Sequence, residues 1–302
     1  MKRTITISVA ALAMLGLTAC KGGGGGAAAA KLIPEQATIV GGVDVQGLMK
    51  SSLYSSAEEQ ALKDGDAKEM MEAAKGCNID IKQFNSIVFG TDGKDGVAAV
   101  ITAPGIGEEA NLNCISDKVK EKKGEAPFTI EGNVLKMAKE DGTAYIVDGK
   151  TLAFATSSWA GAVKDLIDGK GTSAFDGPNK DIFAKADKSK HIWFAGKVPA
   201  EMASGPAEGL ESAVGSLDFS SGLALQATAT FADAEKATAL QDMAKGGLAM
   251  GKGMAESKGI PGSVVDGVEI VAKGKDLNAS VTISKEDLDK INESLKGMMG
   301  GM

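Results

Sequence analysis

Few residues in this 302-residue chain are equipped for chemistry. There is a single histidine, His191, so any Ser–His or Cys–His nucleophile would have to be built on it. It opens His191-Ile192-Trp193-Phe194-Ala195, which reads as a strand start, and a ring at a strand edge needs no catalytic role. The Ser-x-x-Lys pattern that lets serine hydrolases dispense with histidine occurs nowhere. Two stretches superficially match a phosphate loop. In Gly169-Lys170-Gly171 a glycine stands where Ser or Thr is required, and Lys164 occupies the upstream glycine position. In Gly149-Lys150-Thr151 Ala144 occupies that position, and the segment joins two strand-like runs instead of opening a helix. Carboxylates number 40, enough for a glycosidase-type pair, yet the sequence singles out no two of them. Methionine is abundant, at 13. Thioethers are soft ligands for Cu(I), but Gly297-Met298-Met299-Gly300-Gly301-Met302 reads as a frayed tail. Met243, Met250 and Met254, at i, i+7 and i+11, have the spacing of a helix core stripe.

The N-terminus carries a stronger signal. Met1-Lys2-Arg3 is a positive n-region, and Ile5 to Leu17 is an apolar run too short to span a bilayer. Leu17-Thr18-Ala19-Cys20 follows. This resembles the lipobox of bacterial lipoproteins, in which the peptidase cuts before an invariant cysteine. The resemblance implies that Met1–Ala19 is removed, that the Cys20 thiol carries a diacylglycerol, and that the new amino terminus is acylated. Two or more acyl chains suffice for stable anchoring, each buried methylene contributing about 0.8 kcal/mol. Lys21 resembles the residue found there in outer-membrane lipoproteins, which implies a cell-envelope protein on that membrane. Gly22 through Gly26 and Ala27 through Ala30 bury little and read as a flexible tether over residues 20–31.

With Cys20 assigned to lipid, Cys77 and Cys114 remain. An even pair in an exported chain is read first as a disulfide; free thiols, or a redox or metal pair, are the alternatives. The sole histidine lies far along the chain and no Cys-x-x-Cys spacing is present, so nothing suggests zinc and no cofactor is expected. The full chain has a formal net charge of −7. Its only arginine is Arg3, which leaves with the signal. An acidic, arginine-free body suits neither base reading nor phosphate binding, which argues against nucleic acid as partner.

The folded part alternates short strands with amphipathic helices. A strand is expected at Ala37–Val43, a helical region at Leu48–Lys75, a hairpin of Phe84–Phe89 and Val97–Ala103, and a helix at Glu108–Lys122. Four strands at Phe128–Glu131, Val134–Ala138, Thr143–Val147 and Thr151–Thr156 are punctuated by Gly132-Asn133, Asp141-Gly142 and Asp148-Gly149. A helix Trp159–Ile167 closes this unit. The second half restarts with a strand at Ile192–Gly196 and a helix begun by Pro199. Leu217-Asp218-Phe219 then turns into the strand Leu223–Phe231. A long helix follows, capped by Asp233 and ending near Ser257, then strands at Val264–Ala272 and Leu277–Ile283 and a capped helix Leu288–Leu295. Landmarks match across the halves: Ile39-Val40-Gly41-Gly42 with Trp193-Phe194-Ala195-Gly196, Leu48 with Met202, Asp148–Leu152 with Lys273–Leu277, and Val163 and Leu166 with Leu288 and Ile291. The expected fold is therefore α+β, two divergent repeats (32–170 and 171–302), each an antiparallel sheet covered on one face by helices.

The stretch Ile33-Pro34-Glu35-Gln36-Ala37-Thr38-Ile39-Val40-Gly41-Gly42-Val43-Asp44-Val45, with cysteines flanking a hairpin as at Cys77 and Cys114, also resembles a set of bacterial two-repeat exported lipoproteins. That resemblance implies fold and envelope location and carries over no functional residue. The sequence thus points to a lipid-anchored, non-enzymatic envelope protein acting as a binding or scaffolding module. Its partners would be the membrane, through the anchor, and an envelope protein. The alternative is a carrier of a lipid or other apolar ligand in a cleft between the repeats; the soft, glycine-rich helix Asp233–Ser257 would open it.

Overall fold

The computed structural model describes residues 25–51, 54, 71–138, 141–199 and 203–299. The chain is α+β and falls into two compact units, with the division between Ala184 and Lys185.

The first unit opens with helix α1 (Gly25–Ala30), strand β1 (Ile39–Asp44) and helix α2 (Val45–Met49). After helical residues 71–75 come β2 (Ser86–Thr91), β3 (Val97–Thr102) and α3 (Glu109–Lys123). Strands β4 (Phe128–Glu131), β5 (Val134–Met137), β6 (Gly142–Asp148) and β7 (Thr151–Thr156) follow, then α4 (Ser157–Ile167) and α5 (Lys180–Phe183). The strands are antiparallel in the order β1-β2-β3-β7-β6-β5-β4. Local chemistry sets the turns. Asp92 Oδ1 accepts from the backbone N–H of Lys94 at 2.8 Å and of Gly96 at 3.0 Å, closing the β2–β3 turn. Gly132 takes φ 63° at the β4–β5 turn, a conformation that favours glycine.

Helices cover both faces of this sheet, where the sequence suggested one. Ala144 and Tyr145 are neighbours on β6 and so point to opposite sides. Ala144 joins Leu112 of α3 and Leu135 in one apolar cluster, whereas the Tyr145 hydroxyl donates to Ala160 O of α4 at 3.0 Å. The physical signature is visible on β2, whose Ser86, Ile87 and Val88 are buried in succession without alternation.

The segment read as a tether is also partly folded. Gly25–Ala30 is helical, with Ala29 1% exposed and Ala30 6%, and it packs on β2 and β3. Ile33, fully buried, seats against Gly90, where a Cβ would collide with its methyl. Residues 172–179, expected in the second repeat, clasp the same segment from the other side. Ala174 N–H donates to Ile33 O at 2.8 Å, Glu35 N–H to Thr172 O at 3.1 Å, and Asn179 Nδ2 to Ala37 O at 3.2 Å. Gly90 lets Ile33 and Ala37 come close to the sheet.

The second unit contains β8 (Ile192–Lys197), β9 (Leu210–Asp218), β10 (Gly222–Phe231), α6 (Ala234–Ser257), α7 (Gly262–Asp266), β11 (Glu269–Lys273), β12 (Asp276–Ser284) and α8 (Lys285–Met299). Its antiparallel order is β8-β9-β10-β12-β11. Ala237 and Leu240 of α6 pack with Phe231, Leu277, Ala229 and Ile270 on one face. The other face carries Thr228 Oγ1 bonded to Asn278 Oδ1 at 2.9 Å and Thr230 Oγ1 to Asp276 Oδ1 at 2.6 Å. Asp233 caps α6 by accepting from Lys236 N–H at 2.9 Å, and Ser284 caps α8 through Asp287 N–H at 3.1 Å.

Several elements differ from expectation. Val264–Asp266 are helical because Pro261, which cannot donate a ladder hydrogen bond, stands immediately before α7. Strand β9 begins at Leu210, well before Leu217. Helix α8 runs through Gly297 and Met298 to Met299, beyond Leu295. Met202, the match proposed for Leu48, and residues 200–202 after Pro199 lie outside the described residues, as do 55–70 of the expected first helical region.

Candidate functional site

Cys20, the proposed lipidation residue, lies outside the described residues. The described residues begin at Gly25, in α1.

Cys77 and Cys114 are joined in a disulfide, with Cα atoms 5.6 Å apart. Cys77 follows helical residues 71–75, and Cys114 sits one turn into α3. Asn78, with φ 60°, turns the chain so that Ile79 drops into a cluster with Ala74, Ala103 and Ile106. The bond therefore staples the end of one helical segment to α3 over that cluster. Buried Cys77 has the environment of a structural bridge.

The densest polar cluster in the second unit surrounds His191. The ring's Nδ1 accepts from Phe219 N–H at 3.0 Å and lies 3.1 Å from Asp218 Oδ1. Asp218 also receives the Ser220 hydroxyl at 2.6 Å, the Ser220 N–H at 2.9 Å and the Lys190 ammonium at 2.9 Å. Burial pushes the Asp218 carboxyl upward, but these hydrogen bonds outweigh it and hold the group well below the usual carboxylate range. The same contact raises Lys190. Ile192 pairs with Leu217, so the knot ties the start of β8 to the β9–β10 turn. It is not a nucleophilic relay. The Ser220 hydroxyl donates its hydrogen bond to Asp218 and not to the imidazole, so the Ser–His contact of such a relay is not formed. Sequence reasoning picked out His191 but missed Asp218, Lys190 and Ser220; the signal available was the turn Asp218-Phe219-Ser220-Ser221-Gly222, where a carboxylate can bond N–H groups two residues on.

Among the described residues no three His, Cys, Asp or Glu side chains are grouped to hold a metal ion. Also among them, no helix is long and apolar enough to cross a membrane. A shallow hollow on the first turns of α6 is lined by Ala234, Glu235, Thr238, Ala239 and Asp242. The methionines read as a core stripe are on the surface instead: Met243 is 51% exposed, Met250 82% and Met254 65%. The face of α6 that packs is the other one, through Ala237 and Leu240.

These features define an α+β protein of antiparallel strands with a stapled first unit and a polar knot in the second. No family model and no curated protein matches the chain. Its fold is similar to that of the solved structure of TP0453 in crystal form I, with a TM-score of 0.51 and 9% sequence identity over 88% of this chain and 97% of that one. At that identity the likeness concerns the fold alone.

Proposed function

We propose that this chain is a bacterial lipoprotein of the cell envelope, held by lipid on Cys20 and acting as a non-enzymatic binding or scaffolding module. The observation that carries the reading is the sequence itself: a basic n-region, a short apolar run and Leu17-Thr18-Ala19-Cys20 in immediate succession. Lys21 favours the outer membrane. The disulfide between Cys77 and Cys114 suits an oxidising compartment. The non-enzymatic part is supported by the only imidazole being engaged in a knot whose serine it does not activate.

We further infer that the body arose by duplication. In each unit a first strand borders a hairpin, a helix follows, and a later hairpin returns its second strand beside the first hairpin: β1, β2–β3, α3 and β6–β7 against β8, β9–β10, α6 and β11–β12. A helix then follows the last strand of each unit, α4 and α8. Even the clasp recurs, with Ala103 N–H donating to Lys150 O and Phe231 N–H to Lys275 O, both at 2.9 Å. The hairpin β4–β5 has no counterpart, which accounts for the shorter middle of the second half.

Palmitate labelling of cells expressing the wild type and Cys20→Ser tests the anchor. Label on the wild type alone is expected; equal label on both, or on neither, overturns it. Crosslinking in intact envelopes followed by isolation of the chain addresses the module, with a reproducible protein adduct as the expected result. Recovery of substrate-derived covalent intermediates on the chain would contradict the non-enzymatic reading.

A further inference from the structure

Among the described residues five large apolar side chains are exposed, Phe194, Met243, Met250, Met254 and Val271, and three of them are methionines of the single helix α6. On a helix of 3.6 residues per turn those three fall within about 40° of one another around the axis. The face that packs on the sheet is a different one, through Ala237 and Leu240. The methionines are spread along the helix, so each thioether stands by itself in solvent. Gly246, Gly247, Gly251 and Gly253 lie among them, and a Cβ built at any of the four would meet nothing within 4 Å. These glycines put no side chain over the stripe, and a small reagent reaches it from open solvent.

We propose that Met243, Met250 and Met254 are oxidation sites through which hydrogen peroxide turns this face of α6 from apolar to polar with the fold intact. The step balances on one sulfur at a time and needs no two of them together. A thioether lone pair attacks one oxygen of the peroxide, the O–O bond breaks and an S–O bond forms. The other oxygen leaves as water with both hydrogens, so sulfur gives up two electrons and the peroxide takes them. The product, methionine sulfoxide, is polar where the thioether was not, and inside a core it would disrupt packing. Here the three side chains are 51%, 82% and 65% exposed, so the added oxygen meets water. Cys77 and Cys114 offer no competing thiol, because they are bonded to each other. The proposal does not depend on the anchor at Cys20.

Hydrogen peroxide applied to the native protein in detergent, with peptide mass spectrometry over time, tests the assignment. Met49, Met71 and Met137 are half-buried and serve as references. Met243, Met250 and Met254 are each expected to gain oxygen about threefold faster, or more, than any reference. That ratio should vanish in guanidinium chloride, where burial is lost. When the three are oxidised and the references are not, the far-UV circular dichroism should match that of untreated protein. The variant M243Q/M250Q/M254Q places a polar stand-in for the sulfoxide at each position with similar helix propensity. Its guanidinium midpoint is expected to equal that of the wild type. Faster uptake at any reference methionine, a ratio that survives unfolding, loss of helix on oxidation, or a lowered midpoint in the variant would each overturn the proposal.

Discussion

Asp218 is the residue on which most local electrostatics converge. It accepts from Ser220 twice and from Lys190, and it faces His191 Nδ1. Because its folded carboxyl is held below the ordinary value of about 3.9, it contributes stability in full above that value and loses it as pH falls through the folded one. Asp218→Asn should therefore lower the urea midpoint at pH 7, and the gap from wild type should narrow below about pH 4; a gap unchanged between pH 7 and pH 3 would refute the assignment. The disulfide is the other residue-scale constraint. Closing 37 residues between Cys77 and Cys114 stabilises by about 4 kcal/mol on the chain-entropy account. Denaturant unfolding of C77A/C114A should show a loss of that order, and an unchanged midpoint would mean the loop is already held by its apolar cluster.

Elements were legible where local chemistry decides them and obscure where distant surface does. The four strands from Phe128 to Thr156 were marked by Gly132-Asn133, Asp141-Gly142 and Asp148-Gly149, and Asp233 announced α6. Strand β9 was missed because Ser212, Ala213, Gly215 and Ser216 lack the β-branched and aromatic side chains that advertise a strand; it exists through pairing with β8 and β10 on either side. The methionine stripe misled because α6 carries two helical stripes, and the small Ala/Leu one fits the sheet more closely than thioethers do. The Gly/Ala stretch looked like tether because the burial of Ala29 and Ala30 depends on β2, β3 and Ser173, far away in sequence. Two outcomes follow. Ile33→Ala, at a fully buried site just beyond the stretch read as tether, should cost about 2–5 kcal/mol by chemical denaturation; an unchanged midpoint would mean that Ile33 does not hold this segment to the sheet. Gly246→Ala and Gly247→Ala face open space and should each stabilise by up to about 1 kcal/mol, slowing hydrogen exchange in α6; destabilisation would reveal a close packing partner.

At the scale of the whole molecule, residue types announce some features and only the assembled fold creates others. His191 and the cysteine pair were visible as residue types, while the knot around Asp218 was not, since it needs β8 and the β9–β10 turn to be brought together. The proposed lipobox, Leu17-Thr18-Ala19-Cys20, is a reading of the sequence alone, and the body it would anchor is readable only as a fold. Five residues separate Cys20 from Gly25, the first described residue, so the proposed lipid would hold the start of the first unit within about 18 Å, the reach of fully extended chain at about 3.3–3.6 Å per residue. The most direct test of this account is the intact mass of the amino-terminal peptide from native protein extracted out of envelopes. The account predicts a peptide beginning at Cys20 and heavier by a diacylglycerol and an amide-linked acyl chain. A peptide beginning elsewhere, or one with an unmodified Cys20, would contradict it.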